Sequence, residues 1–279
     1  MPAVAILGAG AIGAAVAHRL AERNRTREIR LIDDAAAVAA GKALDIRQAG
    51  PIECSDTSIS GTGDVLSAAG ADVVVVADAV TGGEWEGDRG LALIQQLVRG
   101  GCTAPIVFPG PRQTWLMEAA SRELHIASDR LIGTAASAVE NVVSSLLHIE
   151  TGLTGACVRV AGRPPSFVVG WTAATIGGRL VTDVVPPHRL LAISQSMQKL
   201  WPVGPEAIAA PTALVVEALI SGSRQPLTAA VIADGEYGVR GRAAMLTVEF
   251  GNGRVLRRSQ PSQSPQEQTE TGSAILKRS

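Results

Sequence analysis

Aromatic side chains are scarce, at 3 % of 279 residues, with four Trp, three Phe and one Tyr. A core must therefore be assembled from Ala, Val, Leu and Ile, and hydrophobic residues do reach 46 % of the chain. Neither sign of charge is in excess. The net charge is −1 and there is no block of Lys and Arg, so nothing points to nucleic acid or an anionic membrane surface. Long apolar runs are absent too. Residues 73–77 are bounded by Asp72 and Asp78, far too short a stretch to cross a bilayer. No basic segment precedes the first apolar residues, so no signal peptide is expected. Cysteine is limited to Cys54, Cys102 and Cys157, an odd and scattered set. That excludes a disulfide framework and a metal-type spacing, and fits reduced thiols in a cytoplasmic protein. The length is enough for two domains with a sizeable core.

Glycine, in contrast, is placed with purpose at the start. The apolar residues 4–7 run into Gly8, Gly10 and Gly13, spaced G-x-G-x-x-G, and helix-forming residues follow from Ala14 to Leu20. This is the pattern of a strand turning sharply into a helix whose N-terminus receives a pyrophosphate. Gly8 makes the turn, Gly10 lets backbone approach the phosphates, and Gly13 lets the helix pack on the strand. Free amides and the positive dipole end of the helix supply the anion site. A second strand, 29–32, ends in Asp33, about 20 residues beyond Gly13. A carboxylate there accepts the two hydroxyls of an adenosine ribose and repels a 2′-phosphate, so NAD is expected rather than NADP. Asp33 can equally cap the helix that follows, as can Asp34. The expected cofactor contacts are Gly8, Gly10, Ala11, Ile12, Gly13, Asp33, Ala77 and Asp78, with no metal site.

Further along, an Ala-rich helix is predicted over 35–48, a strand over 59–62 and a short helix over 64–69. Residues 72–77 are a β-branched run without alternation, as in a strand buried on both faces. A polar, Gly-rich loop (78–90), a helix (91–99), a strand (105–108), a helix (115–123) and a strand (131–133) complete this half. Strands alternating with helices predict an α/β fold, a doubly wound parallel Rossmann sheet over 1–136. From 137 to 279 the pattern changes to α+β. Helices are expected over 139–150, 190–200 and 205–221, and strands over 156–160, 166–171, 228–232 and 244–250. Ser264-Pro265-Gln266-Glu267 reads as a capping box opening a final helix.

Taken in order, these stretches resemble the NAD-dependent lactate/malate dehydrogenases, on the malate-type side. The resemblance rests on the glycine fingerprint, Leu31-Ile32-Asp33, the segment 41–46 (Gly-Lys-Ala-Leu-Asp-Ile), 71–75, 130–134, 174–178, 209–211, 235–238, 251–253 and 273–277. It covers nearly the whole chain. It implies NAD as cofactor, hydride transfer on a 2-hydroxy or 2-oxo acid, a small anionic ligand, and a homo-oligomer, dimer or tetramer.

The chemistry implied by the resemblance needs a general acid/base, a guanidinium for the substrate carboxylate, and a second cation to polarise the carbonyl. Each position departs from the family pattern. Pro164, in Ala161-Gly162-Arg163-Pro164, stands where the catalytic His is expected, and proline carries no proton. The helix that should supply the partner carboxylate and the substrate Arg reads Ser137-Ala138-Val139-Glu140-Asn141, with Glu140 one place off and no Arg. In the mobile loop Thr81 stands at the expected Arg, and Arg89 matches the loop's second Arg with a shift of about two residues. The Asn-Pro-Val-Asp turn has become Pro109-Gly110-Pro111-Arg112. The remaining candidates are Arg89, Arg112, Glu140, Arg163 and His188. Arg112 and Arg163 either make the cleft cationic or lie on the surface, and Glu140 is either a base or a helix residue. Two readings stay open: an oxidoreductase with an altered anionic substrate, or an inactive NAD-binding relative acting as a sensor or structural partner.

Overall fold

A computed structural model describes residues 2–277. The first half alternates as expected: β1 (Ala3–Leu7), α1 (Ala11–Arg23), β2 (Glu28–Ile32), α2 (Ala36–Glu53), β3 (Ser58–Thr62), β4 (Val73–Val76), α3 (Gly87–Arg99), β5 (Ile106–Phe108), α4 (Thr114–Glu123) and β6 (Leu131–Gly133). These strands lie in the order β3-β2-β1-β4-β5-β6, all parallel. The chain thus starts in the middle of the sheet and winds outward in both directions, which puts β1, β2 and β4 around one crevice at their carboxyl ends. β1 and β4 are buried on both faces, which is why the sequence is apolar there without alternation, whereas β2 is partly exposed at Arg30.

The second half contains α5 (Ser137–Thr151), β7 (Val160–Arg163), β8 (Ser166–Val169), α6 (Pro187–Lys199), α7 (Pro205–Ser221), β9 (Leu227–Asp234), β10 (Arg240–Gly251), β11 (Arg254–Ser259) and α8 (Pro265–Leu276). Its strands are antiparallel and continue the same sheet, as β8-β7-β10-β9 joined to β6, with β11 on β10, eleven strands in all. The halves share one core, in which α7 packs on α1, and the strand pairing across their junction is short. Antiparallel pairing of β9 with β6 is confined to Ala230 opposite Gly133.

Several boundaries differ from expectation. The strand predicted at 156–160 lies at β7, because Cys157 makes a lone bridge to Thr175 before the chain enters the sheet. β11 was not expected. It follows a turn at Asn252 and Gly253, both at positive φ, and carries Arg254, Arg257 and Arg258 with Val255 as its buried anchor. Charge on an edge strand guards against pairing with another chain and hides the strand from a hydrophobic-pattern reading. The loop 78–90 is more ordered than expected, with Asp78–Ala79 paired to Gly83–Glu84 and α3 beginning at Gly87.

The predicted capping box is formed. Ser264 Oγ accepts from the Glu267 amide, and the Glu267 carboxylate accepts from the Ser264 amide at 2.7 Å and from Thr172 Oγ1 at 2.6 Å. Burial pushes the Glu267 carboxyl up, but these hydrogen bonds outweigh it and hold it below the usual range. Among the described residues, no helix is long and apolar enough to cross a membrane.

Candidate cofactor and active site

The crevice begins where β1 runs into the glycine loop. Gly8 has φ of +109°, and a Cβ there would overlap the Asp78 carbonyl, so no other residue fits without strain. A Cβ on Gly13 would overlap the Gly8 carbonyl, which fixes how closely α1 packs on the turn. Gly10 is the N-cap of α1 and has no capping side chain of its own. The first-turn amides of α1 therefore need an acceptor from elsewhere.

Asp78 supplies it. Its Oδ2 accepts from the Ile12 amide at 3.2 Å and its Oδ1 from the Gly13 amide at 2.8 Å, while its carbonyl accepts from the Gly10 amide at 2.8 Å. Asp33, at the end of β2, is buried. Its Oδ2 accepts from the Ala9 amide at 2.8 Å and from the Val80 amide at 2.9 Å, and its Oδ1 from the Ala35 amide at 2.9 Å. Asp33 thus faces the glycine loop and also holds the Ala35 amide ahead of α2. Lys42, on α2, closes the other side, donating Nζ to the carbonyls of Ala9 at 2.6 Å and Gly10 at 3.2 Å. Gly8, Gly10, Ala11, Ile12, Gly13, Asp33, Ala77 and Asp78 are all gathered here. The sequence reading missed Lys42 and Val80, and the direction in which Asp78 points.

Across the crevice, the turn at Pro109–Arg112 meets the loop after β4. Gln113 is completely buried between them. Its Oε1 accepts from the Gly110 amide at 2.7 Å, and its Nε2 donates to the carbonyls of Val76 (2.8 Å), Ala77 (3.1 Å) and Trp85 (3.2 Å). Glu84 accepts from the Arg112 amide at 2.9 Å. Burial pushes the Glu84 carboxyl up, with Glu86 and Asp78 adding repulsion, against the downward pull of Arg112. Trp85 is buried under Arg89, whose guanidinium carbon lies 4.2 Å from the ring centroid. Its indole N–H has no hydrogen-bond partner. Neither Gln113 nor Glu84 was singled out from sequence, because polar residues in Gly/Pro-rich turns show no periodicity.

The other candidates scatter. Arg163 was expected in the cleft or on the surface, and it is in neither. It is 4 % exposed and donates Nε to Glu118 of α4 at 3.2 Å. Glu118 also receives the Ala243 amide at 2.9 Å and lies 3.5 Å from Arg242. Arg112 turns its side chain outward, 71 % exposed, toward Glu86 at 3.8 Å. Of the two alternatives for Arg112, the structure shows the surface one, and neither arginine makes the cleft cationic. Glu140 is a structural clamp: it accepts from the Val160 amide (2.9 Å), Thr228 Oγ1 (2.7 Å) and Arg159 (3.2 Å), while burial pushes its carboxyl up. Arg89 packs on Trp85 and reaches Asp34 at 4.0 Å, so it braces the loop. His188 is exposed in the first turn of α6. What remains beside Pro164 is a cavity of about 10 Å³, lined by Phe108, Gly110, Gln113, Met117, Gly133 and Pro164 among others. That is about the space one water molecule needs.

Residues 3–96 match the family model described as lactate/malate dehydrogenase, NAD binding domain. Over 277 residues the chain is 24 % identical to the malate dehydrogenase of Chlorobium phaeobacteroides, covering 90 % of this chain and 88 % of that protein. The malate dehydrogenase of a Roseiflexus species is 26 % identical over 259 residues, covering 85 % and 84 %. The chain is thus similar to malate dehydrogenases over most of its length, and residues 3–96 match the NAD-binding domain of the lactate/malate dehydrogenases. Solved structures agree on the fold. The malate dehydrogenase of Salinibacter ruber gives a TM-score of 0.87 at 22 % identity, covering 98 % of this chain and 93 % of that one. The minor L-lactate dehydrogenase of Enterococcus mundtii gives 0.88 at 16 %, covering 98 % and 95 %. NAD is the cofactor of a domain of this family, and the residues here fit it in two unequal parts. The glycine loop and Asp33 suit the adenosine half. At the start of α1, where this fold receives a diphosphate, the Asp78 carboxylate takes the Ile12 and Gly13 amides.

Proposed function

We propose that this protein binds NAD without turning over a 2-hydroxy acid, and that it works as a nucleotide-binding sensor or structural partner. The chemistry of the residues around Pro164 carries the reading. Hydride transfer to a 2-oxo acid needs a proton donor and a cation for the developing oxyanion. Pro164 contributes no proton. Arg163 is committed to Glu118 and Arg112 points outward. Losing groups that act together costs many orders of magnitude in rate.

One observation favours a second reading, an oxidoreductase with an altered substrate. Glu84 lies against Gly110, at the turn that in the family pattern faces nicotinamide, and its raised pKa suits a proton donor. The two readings separate in one assay. NADH absorbance decay with pyruvate and oxaloacetate is followed for the wild type and Glu84→Gln, with NADH binding measured in parallel. The expected result is binding without turnover above the uncatalysed rate. Turnover that Glu84→Gln abolishes would establish the second reading, and absence of NADH binding would overturn both.

The proposal includes a homo-oligomer and a cytoplasmic location. In support of the first, α2 leaves Leu44 and Ile52 exposed, the latter by 88 %, and α7 leaves Leu214 exposed. Sedimentation equilibrium at micromolar concentration is expected to return a multiple of the chain mass, and a monomer mass would refute it. In support of the second, all three cysteines are free thiols.

A further inference from the structure

We infer that the segment from Asp78 to Val80 is an internal occupant of the dinucleotide site, and that NAD binds only when this segment withdraws. The inference rests on the reading of the chain as an NAD-binding protein. Recognition of an ADP-ribose unit by this fold uses two elements: amides at the start of α1 for the diphosphate, and the Asp33 carboxylate for the ribose hydroxyls. Both are engaged by one short stretch of the chain itself. The Asp78 carboxylate takes the Ile12 and Gly13 amides at 3.2 and 2.8 Å. Two residues on, the Val80 amide takes Asp33 Oδ2 at 2.9 Å. The match is one of charge as well as position. A carboxylate on a helix N-terminus satisfies the same dipole as a phosphate, and the two anions repel if placed there together.

The segment is also built to leave. It is followed by Gly82 and Gly83, at φ of +98° and +72°, and by Gly87 at +57°, backbone states that turn easily. In the loop that follows, the Trp85 indole N–H is buried and has no partner among the described residues, and a buried unpaired donor is relieved by an arrangement in which it is solvated. The segment's other ties are the Asp78 carbonyl to the Gly10 amide at 2.8 Å, the pairing of Asp78–Ala79 with Gly83–Glu84, and the exposed Arg89 side chain on the Thr81 carbonyl at 3.5 Å, so the movement required is chiefly that of the Asp78 carboxylate and the Val80 amide. Affinity for the dinucleotide is then reduced by the fraction of molecules in which the segment lies inward. Asp78 thereby sets how much NAD is needed before the site fills.

The test compares the full-length wild type with Asp78→Asn and Asp78→Ala, titrated with NADH, ADP and adenosine by calorimetry, after thermal unfolding confirms that each is folded. Asp78→Asn keeps an acceptor oxygen and removes the charge, and Asp78→Ala removes the hold as well. NADH and ADP are expected to bind Asp78→Ala about tenfold more tightly than wild type, with Asp78→Asn between them. Adenosine, which has no diphosphate, is expected to change by less than about twofold. Equal NADH affinity in all three proteins would overturn the inference and leave NAD binding intact. An equal gain for adenosine and ADP would also overturn it, because that is general loosening and not a displaced anion. Absence of NADH binding in all three would overturn the inference together with the functional reading beneath it.

Discussion

Replacing Glu118 with alanine is expected to lower the stability of the chain by about 3–5 kcal/mol, read as the shift in a urea unfolding curve. Glu118 sits on α4 and is 5 % exposed, facing Arg163 of β7, which is 4 % exposed. Burying an ion pair is justified only when each group has its full set of partners. Here the carboxylate also takes the Ala243 amide of β10 and lies beside Arg242. Alanine removes the carboxylate from beside two guanidiniums, one of them buried, and leaves the buried Ala243 amide without its acceptor. Glu118→Leu combined with Arg163→Met should recover only part of the loss, since it removes the charge to desolvate but leaves the Ala243 amide without its acceptor. A loss below about 1 kcal/mol for Glu118→Ala, the range of exposed ion pairs, would show that the cluster is hydrated.

Gln113→Leu is expected to cost about 2–4 kcal/mol, and to speed proteolysis within residues 80–90. The side chain is fully buried and joins three pieces of backbone: the end of β4, Trp85 in the following loop, and the Gly110 turn. Leucine fills a similar volume but leaves the Gly110 amide and the Trp85 carbonyl unsatisfied. The chain can relieve this only by letting the loop and the turn move into water. Limited proteolysis with and without the substitution reads that movement directly. A variant as stable and as resistant as wild type would mean that the loop is held by Arg89 on Trp85 instead.

The parallel half was the most legible part of the fold. Val73–Val76 and Val4–Leu7 are apolar without alternation, and the glycine spacing fixes where strand becomes helix. The antiparallel half was read with less accuracy because its edge strand carries charge outward and β7 starts later than its apolar residues imply. At the site, the positions of Gly8, Gly10, Gly13 and Asp33 were legible because backbone geometry demands those residue types. The fate of Arg163 was not. Its partner Glu118 lies 45 positions earlier, and no local pattern links them. Asp78 was legible as a neighbour of the glycine loop. That its carboxylate would serve α1 as a cap from 65 positions away was not.

That borrowed cap has a bearing on how the protein ages. A helix end that waits for a ligand leaves its fold stability tied to ligand supply, since a ligand stabilises only by the occupancy it reaches. Here Asp78 completes α1 from within the chain. Molecules without nucleotide are accordingly fully assembled and have no frayed terminus for a protease to find. Nucleotide then adds stability only to the extent that its binding exceeds the cost of releasing Asp78.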